Sequence, residues 1–400
     1  MTETVTPIDL GGRLGLLLEP LDVLFFRDGR PFGASLRGES LSTALPQTLA
    51  GAVWTALLQA CDCNFQELTR RVRGGESFRA ALDALGLPAW IAEVQTRGPW
   101  LARVPLKNPA DAVPEVLFPM PASLHVPKKA NGSEPKLVRL TPLAAAEVLP
   151  GWKLTRTIAE PALRPLWHRV REATEPARGF LKPEGMRAFL CGDDIPPDTF
   201  LKAEALYGFD HRTGIGISAD TMTAEKSLIY TANFLALRTE PAENRQVVMY
   251  AEIQLPQGAP EGLVDGIRTI AFGGEGRRVA VHRLPVPFDF AGLSARPSSA
   301  RGNSLVVLTT PCPCEARWKP AALADRVVAA AMPGAVAVSG WDLARGGPKP
   351  SRFAVPAGSV YFAEGELTNL PLCLADSEAD RRQGWGCYLT GVWNHDSNRC

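Results

Sequence analysis

The histidines are the first residues whose type could do chemistry, because imidazole commonly serves as general base or acid in metal-independent RNA cleavage. All five lie far apart in the sequence, and no two are separated by the four-residue step of a zinc-binding helix. His211, beside Arg212, and His282, close to Arg277 and Arg278, are the candidates for such a reaction. A solvated or hydrogen-bonded imidazole is the more common state of a histidine in either setting.

Other enzyme motifs are absent from the sequence. The loop at 273–278, GGEGRR, lacks the Gly-Lys-Ser/Thr ending of a Walker loop and the GxGxxG spacing of a dinucleotide-binding turn. The chain also contains no GxSxG and no HExxH motif. Because no acid–base pair, activated nucleophile or set of metal ligands emerges, we expect a protein that is not an enzyme and needs no cofactor.

The cysteines allow one metal site to be considered. Eight are present, and two pairs have a single intervening residue, Cys61/Cys63 and Cys312/Cys314. Structural zinc usually takes cysteines spaced two to four apart, with a second matching pair. A zinc ion bound by both pairs therefore stays open, but reduced, mostly buried thiols of a cytosolic protein fit the spacing better.

The glycine-rich loop at 273–278 is better suited to binding than to catalysis. Glycines expose backbone N–H groups to phosphate oxygens without a Cβ in the way. Arg277 and Arg278 would add charge-assisted, bidentate contacts to a phosphate. Taken alone, the same residues also fit a β-turn whose arginines face water.

Bulk composition limits the class of protein that could carry this loop. The 400 residues are 46% apolar and 21% charged, which is ordinary for a soluble globular chain of two or three domains. The net charge of +1 indicates that any nucleic-acid contact is a local patch. No apolar run approaches the length of a membrane helix, and Glu19, Pro20 and Asp22 interrupt the most apolar N-terminal stretch, 14–26. We therefore expect a cytoplasmic protein with no membrane contact.

Hydrophobic periodicity places the secondary structure that would position these residues. It predicts helices at 42–60, 77–86 and 321–332, and strands at 14–27, 227–237, 245–256, 304–310, 334–342 and 353–365. Residues 98–165 are proline-rich with short apolar runs, 172–198 read as irregular, and a change of composition at 290–303 indicates a domain junction. Because strands and helices alternate too sparsely for a doubly wound parallel sheet, the pattern favours an α+β fold with antiparallel sheets backed by helices.

Several stretches occur together in an order that carries a specific resemblance. They are EPLDVLFFRDGRPFG (19–33), YGFDHRTG (207–214), SLIYTANFLAL (227–237), FGGEGRRVAV (272–281) and GWDLARGGPKPSRFAVPAGSVYF (340–362). Each motif alone is unspecific. In combination, from about residue 14 to 393, they resemble the third subunit of the type III-B CRISPR effector, the Cmr complex, a member of the RAMP superfamily of RNA-binding proteins.

The resemblance implies an architecture. It predicts two ferredoxin-like (RRM-type) domains with long insertions, an N-terminal one over 1–295 and a C-terminal one over 303–400. An insertion would occupy about 98–198, and a thumb-like β-hairpin would occupy 210–226. In related subunits that hairpin reaches across the guide–target duplex and displaces a base pair.

The resemblance also implies function and partners. The subunit would hold the 5′ repeat-derived tag of the guide RNA (crRNA) and cap the foot of the complex, without a catalytic role, in defence against invading RNA. Its partners would be the guide, the target RNA, the large polymerase-like subunit and the backbone RAMP subunits. RNA contacts would come from Gly273, Gly274, Gly276, Arg277, Arg278, Arg27, Arg30, His211, Arg212 and Lys226, and the wedge of the thumb from Ile215, Ile217 and Met222.

The sequence departs from the family pattern at two positions. His211 stands where the motif often has arginine, and Trp54 stands where the family often has arginine. We therefore assign no RNA contact to Trp54. Two alternatives of other classes stay open: a metal-independent, guide-processing endoribonuclease of the same superfamily that uses His211, and a binding protein for a small phosphate compound that uses the glycine loop.

Overall fold

The structure, a computed structural model, describes residues 12–26, 37–38, 43–128, 137–148, 163–169, 172–218, 220–295, 302–323, 325–342 and 347–394. Its α-helices are α1 (Pro46–Ala60), α2 (Phe65–Arg73), α3 (Phe78–Ala84), α4 (Pro183–Cys191), α5 (Glu261–Asp265) and α6 (Glu378–Arg382). No helix of these residues is both long and apolar enough to cross a bilayer.

The strands are numbered along the chain. The first twelve are β1 (Arg13–Pro20), β2 (Arg37–Gly38), β3 (Gln95–Pro105), β4 (Glu115–Val116), β5 (Phe118–Pro119), β6 (Leu124–Pro127), β7 (Val138–Arg139), β8 (Thr141–Pro142), β9 (Leu166–Trp167), β10 (Thr174–Pro176), β11 (Phe180–Leu181) and β12 (Phe200–Leu201). The next six are β13 (Tyr207–Ile217), β14 (Ala224–Leu237), β15 (Thr239–Glu240), β16 (Arg245–Gln254), β17 (Thr269–Ala271) and β18 (Arg278–Arg283). The last nine are β19 (Asn303–Leu308), β20 (Cys312–Pro313), β21 (Val327–Ala331), β22 (Val336–Val338), β23 (Trp341–Asp342), β24 (Gly347–Pro348), β25 (Arg352–Val355), β26 (Val360–Ala363) and β27 (Tyr388–Trp393).

The first half of the chain builds the main antiparallel sheet. Its strand order is β17-β18-β1-β16-β3-β4, with the short β15 also paired to β16. Helices α1 to α3 connect β1 to β3, and α5 lies between β16 and β17. The four long strands therefore run in the order fourth, first, third, second, which sets β1 at the centre beside the strand that follows the glycine loop.

Both faces of the main sheet are buried, and alternate side chains of each strand serve different cores. Leu16 and Leu18 of β1 join the core beneath α1, whereas Leu17 joins a second core. That second core also takes Leu305 and Phe362 from the C-terminal sheet. The two halves of the chain are thus joined by one continuous apolar layer.

The C-terminal half repeats the same strand order. Its four-stranded antiparallel sheet is ordered β21-β26-β19-β27, again fourth, first, third, second when read from β27. The opposite face packs on a small sheet, β20-β25-β22, through the buried residues Val306, Tyr361 and Trp385. The α+β class with antiparallel sheets and few helices, expected from the sequence, is confirmed.

The predicted helix at 321–332 is wrong. Only a short 3-10 turn, Ala321–Leu323, forms there, and Val327–Ala331 is strand β21. The stretch satisfies a two-residue period, because Val327, Ala329 and Ala331 are buried while Val328 and Ala330 are half-buried. Pairing with β26 and burial of alternate residues outweigh the helical propensity of the alanines.

Two further predictions need correction in the middle of the chain. The stretch 172–198, predicted to be irregular, contains helix α4, which packs Met186 and Phe189 into the core between the sheets. Residues 98–105, predicted to open an insertion, belong to β3 and pair with β16 in the main sheet. Prolines obscured the hydrophobic pattern in both places. A proline is compatible with the first turn of a helix, and the proline in β3, Pro99, follows a cis peptide bond.

Strands β13 and β14 form a long antiparallel hairpin that leaves the main sheet. They pair continuously from Tyr207↔Leu237 to Ile215↔Ile229, and a register shift follows before Ile217. The base of the hairpin is fastened to the chain just after β1 by two backbone hydrogen bonds between Leu24 and Leu235, of 2.8 and 2.7 Å. The hairpin therefore emerges next to the loop that joins β17 to β18.

Candidate nucleic-acid interface

The glycine loop is a tight turn between β17 and β18. The N–H of Phe272 donates to the carbonyl of Arg277 over 2.8 Å, and the N–H of Arg277 donates to the carbonyl of Gly274 over 3.2 Å. Gly273 and Gly276 have φ values of +91° and +65°, in the left-handed region that favours glycine. The backbone geometry thus accounts for Gly273 and Gly276, whereas Glu275 adopts a positive φ of 56° without being glycine.

The loop lies directly on the chain that follows β1. The N–H of Gly274 donates to the carbonyl of Phe25 over 2.8 Å. A Cβ at Gly273 would lie 2.6 Å from that same carbonyl oxygen, and one at Gly276 would meet no atom within 4 Å. The amide of Gly274 is therefore already used inside the protein, which corrects the expectation that all amides of 273–276 face a phosphate. Within the described chain, the N–H groups of Gly273, Glu275 and Gly276 have no acceptor.

Arg277 turns from the loop onto an aromatic ring and a carboxylate. Its Nη1 donates to Oδ2 of Asp22 over 2.8 Å, and its guanidinium carbon lies 4.7 Å from the centroid of the Phe234 ring. Its Nε is buried without a hydrogen-bond partner among the described residues. Stacking of this kind fixes a guanidinium in place while leaving donors free.

Arg212 reaches the same ring from the hairpin. Its guanidinium carbon lies 5.0 Å from the Phe234 centroid. Its Nε donates to Oδ2 of Asp210 over 2.8 Å, and its Nη2 lies 3.7 Å from Oδ2 of Asp22. Arg212 and Arg277, predicted separately from two motifs, thus converge on one ring and one carboxylate.

The ring belongs to a small apolar cluster separate from the large cores. Phe25, Ala232 and Phe234 are buried together, with Val23 at the edge, and the rings of Phe25 and Phe234 are 5.1 Å apart. We call Asp22, Arg212, Phe234 and Arg277 the arginine–aromatic site. It joins the segment after β1, the base of the hairpin and the glycine loop.

Arg278 does not join this site. Its Nη2 donates to the hydroxyl of Thr269 over 2.8 Å and lies 3.3 Å from the Thr269 carbonyl. Neighbouring residues at the start of a strand point to opposite sides, which separates Arg278 from Arg277. Arg277 and Arg278, both predicted to contact RNA, therefore have different partners in the described chain.

His211 and His282 each have one polar side-chain partner in the described chain. Nδ1 of His211 lies 2.6 Å from Oδ1 of the buried Asn233. Nε2 of His282 lies 2.8 Å from Oε2 of Glu19. The imidazole of His211 is therefore held by an amide, whereas that of His282 faces a carboxylate on the central strand.

The three apolar residues assigned to the thumb wedge are exposed at the far end of the hairpin. Ile215, Ile217 and Met222 keep 53%, 58% and 78% of their surface accessible. Lys226 lies in β14, but its side chain is outside the described structure, as are Arg27 and Arg30 entirely. The five residue-to-residue steps from Arg212 to Ile217 span roughly 17 Å of extended strand, so the wedge and the arginine–aromatic site are distinct regions.

The cysteines do not form a metal centre in the described chain. Cys61 and Cys63 pack against the core beneath α1, whereas Cys312 and Cys314 belong to the C-terminal core. The two pairs considered for a shared zinc ion are therefore in different cores, whereas reduced thiols were the preferred prediction. No group of three histidine, cysteine or acidic side chains suited to a metal ion occurs among the described residues.

A titratable cluster lies deep between the two sheets. The Sγ atoms of Cys373 and Cys387 are 3.4 Å apart. The hydrogen bond from Cys373 lowers the pKa of Cys387 to about 6, and the nearby Arg97 guanidinium adds to this effect against burial. The same hydrogen bond, with burial, raises the pKa of Cys373. Both thiols are buried near the ion pair between Arg97 and Glu252, whose N–O distance is 2.8 Å.

Sequence reasoning missed Asp22, Phe234 and Asn233. Asp22 and Phe234 were quoted inside motifs, but as a charge that interrupts an apolar run and as part of a strand. Their roles depend on contacts between segments near residues 22, 212, 234 and 277, and no local pattern records such contacts. A buried asparagine such as Asn233 in an apolar strand is the one signal that could have drawn notice.

The fold and the site define an α+β protein with an arginine–aromatic site between a hairpin and a glycine loop. Its sequence matches the model of a family of CRISPR-associated proteins over residues 16–393. The chain belongs to that family, CRISPR-associated protein (Cas_Cmr3). This confirms the resemblance to the third subunit of the Cmr complex. No curated protein matches the chain.

Solved structures provide two further similarities. One is described as "Cryo-EM structure of the Type III-B Cmr-beta bound to cognate target RNA and AMPPnP, state 1", with 16% identity, a TM-score of 0.46, and coverage of 87% of this chain and 86% of that chain. The other is "Cryo-EM structure of the Type III-B Cmr-beta bound to cognate target RNA", with 18% identity, a TM-score of 0.45 and the same coverage of 87% and 86%.

Proposed function

We propose that this Cmr subunit is a non-catalytic RNA-binding protein that holds the 5′ repeat-derived tag of the guide RNA. The observation that carries the proposal is the convergence of Arg212 and Arg277 on the Phe234 ring. Paired guanidinium groups held on a buried aromatic ring suit a single-stranded RNA backbone, because they can contact phosphates from a fixed position. The free amides of Glu275 and Gly276 add donors at the rim of the same site.

The strand orders support a finer description of the fold. Each of the two sheets has the order fourth, first, third, second, with antiparallel neighbours. We propose that both are ferredoxin-like (RRM-type) domains. In the second, the short strand β20 and a 3-10 turn lie between β19 and β21, where such a domain usually has its first helix. The arginine–aromatic site lies at one end of the inner strands of the main sheet, where the segment after β1 meets the loop before β18.

We propose that the hairpin β13–β14 acts as a thumb on the guide–target duplex. Its three exposed apolar residues, Ile215, Ile217 and Met222, are costly in water, and a wedge beside an unstacked base would bury them. The large polymerase-like subunit and the first backbone subunit are the proposed protein partners. The subunit would cap the foot of the complex between them.

The contacts of His211 favour this proposal over the endoribonuclease alternative. Its Nδ1 is held by the amide of Asn233, and its neighbours Asp210 and Arg212 are paired with each other. General acid–base cleavage needs two groups that exchange protons with the substrate. The described neighbours of His211 are an amide and an arginine–aspartate ion pair, and His282, the other histidine candidate, contacts Glu19 instead.

The proposal is tested by binding of the purified chain to a labelled guide RNA. Fluorescence anisotropy compares a guide that carries its 5′ tag with the same guide lacking the tag. We expect tighter binding of the tagged guide and an affinity that falls steeply with salt. Equal affinity for the two RNAs would contradict the role in tag recognition, and a salt-independent affinity would favour the small-phosphate alternative.

A further inference from the structure

One carboxylate occupies the centre of the arginine–aromatic site. Oδ2 of Asp22 accepts a hydrogen bond from Nη1 of Arg277 at 2.8 Å and lies 3.7 Å from Nη2 of Arg212. The Asp22 side chain is 57% exposed, so it reaches the arginines from the solvent side. It stands where an anion from outside the protein would meet both guanidinium groups.

The charges of the site cancel in the free protein. Arg212 and Arg277 contribute two positive charges, and Asp22 and Asp210 contribute two negative ones. A patch that is to attract RNA by charge alone would leave its arginines unpaired. The two guanidinium groups are instead held in place on Phe234, and the carboxylates of Asp22 and Asp210 neutralise their charge.

Asp22 and Asp210 hold the arginines differently. Asp210 is two residues from Arg212 on the same strand and contacts it through both Nε and Nη2 at 2.8 Å. Asp22 bridges two separate segments, and only one of its two contacts is short. The bond from Arg277 to Asp22 is a single one, and the buried Nε of Arg277 adds no second. Asp22 is thus the carboxylate that can leave while the arginines stay in place.

A phosphodiester matches the group that Asp22 presents. A carboxylate is planar and a phosphodiester is tetrahedral at phosphorus, but both present two terminal oxygens that share one negative charge and accept charge-assisted hydrogen bonds from guanidinium groups. We propose, on the basis of the RNA-binding role above, that Asp22 is an internal competitor that a phosphodiester of the bound RNA displaces. The competitor makes the site selective, because only an RNA whose other contacts place a phosphate here gains from the exchange.

The test is a comparison of RNA affinities for charge-matched variants. Asp22→Asn removes the competitor and raises the net charge by one. Asp265→Asn makes the same charge change at a surface ion pair with Arg283, at the opposite end of β18. Affinity for a labelled guide RNA carrying its 5′ tag is measured by anisotropy over a range of salt concentrations with the full chain.

Removal of the competitor should tighten binding. We expect D22N to bind about threefold to tenfold more tightly than the wild type, and D265N to stay within about twofold of it. The gain in affinity should vanish when the double variant D22N/R277A is compared with R277A, because the freed Arg277 guanidinium is its source. A D22N affinity equal to that of D265N, or a gain that persists without Arg277, would overturn the proposal.

Two further measurements guard against a folding artefact. Asp22→Ser also removes the carboxylate and should give a gain of the same direction as D22N, and a loss of affinity in both folded variants would overturn the proposal. Thermal unfolding with added sulfate tests the anion site without RNA. Greater stabilisation of D22N than of D265N by sulfate supports the competitor role of Asp22, and equal stabilisation overturns it. Failure of the wild type to bind RNA contradicts only the proposed function.

Discussion

The carboxylate of Asp22 lies 2.8 Å from the guanidinium of Arg277, although 255 residues separate the two in the sequence. This contact joins the segment after the first strand to the glycine loop before β18. Arg212 at the base of the hairpin completes the connection through the Phe234 ring. Four of the five stretches that carry the family resemblance therefore meet at one place in the fold.

Substitution of Gly273 should disturb the site much more than substitution of Gly276. Alanine at either position meets a left-handed backbone, at a cost of about 1–2 kcal/mol. At Gly273 the new Cβ would also lie 2.6 Å from the Phe25 carbonyl, so the loop must shift, whereas Gly276 is open. We expect G273A to lower the free energy of unfolding in urea by about 2 kcal/mol or more, and to weaken guide binding.

Gly276→Ala is the matched control for that change. It should lose about 1 kcal/mol or slightly more of stability and retain the position of Arg277. Equal losses of stability and RNA affinity in the two variants would show that the close approach of the loop to Phe25 does not matter.

Substitution of His211 should leave catalysis by the assembled complex unchanged. Nδ1 of His211 contacts Asn233 on the paired strand, and under the proposed non-catalytic role His211→Ala removes only this contact within the hairpin. We expect every RNA cleavage step to proceed at the wild-type rate once equal amounts of complex have assembled. Purified chain incubated with repeat RNA and EDTA gives a second readout, in which we expect no cleavage.

The endoribonuclease alternative predicts the opposite result. It would be supported if H211A assembled normally yet lost a cleavage step. His282→Ala serves as a control, since that imidazole pairs with Glu19 on the central strand.

Shortening of the hairpin should alter the guide–target duplex. We expect that replacing 213–223 by a short Gly-Ser turn removes the exposed Ile215, Ile217 and Met222 and lets the base beside the wedge pair again. Chemical footprinting of the duplex near the 5′ tag in the assembled complex should then show one less reactive position. Unchanged reactivity in a complex of normal composition would mean that the hairpin is not a thumb.

Much of the fold follows from local pattern. Helix α1 was predicted at 42–60 and forms at Pro46–Ala60, because Leu49, Val53 and Leu57 repeat at helical spacing toward the sheet. The strand predicted at 245–256 forms at Arg245–Gln254, where the apolar run is buried on both faces. The secondary-structure type of long segments is predicted best where their hydrophobic period is consistent.

Predictions failed where distant partners decide the structure. Val327–Ala331 becomes a strand because β26 offers it a partner, and helix α4 is stabilised by the core between the two sheets. The candidate site shows the same limit. Its arginines were identified from motifs, but Asp22 and Phe234 gain their roles from contacts that only the folded chain creates.

The central claim is that RNA phosphates contact the arginine–aromatic site, and the salt dependence of guide binding tests it most directly. Arg277→Ala and Arg212→Ala each remove one phosphate contact, and Arg283→Ala, which breaks a surface ion pair with Asp265, is the control. The account predicts weaker binding for the first two, with a slope of log affinity against log salt that is shallower by about 0.7 per lost phosphate. Affinity and slope that match those of the Arg283→Ala variant would contradict it.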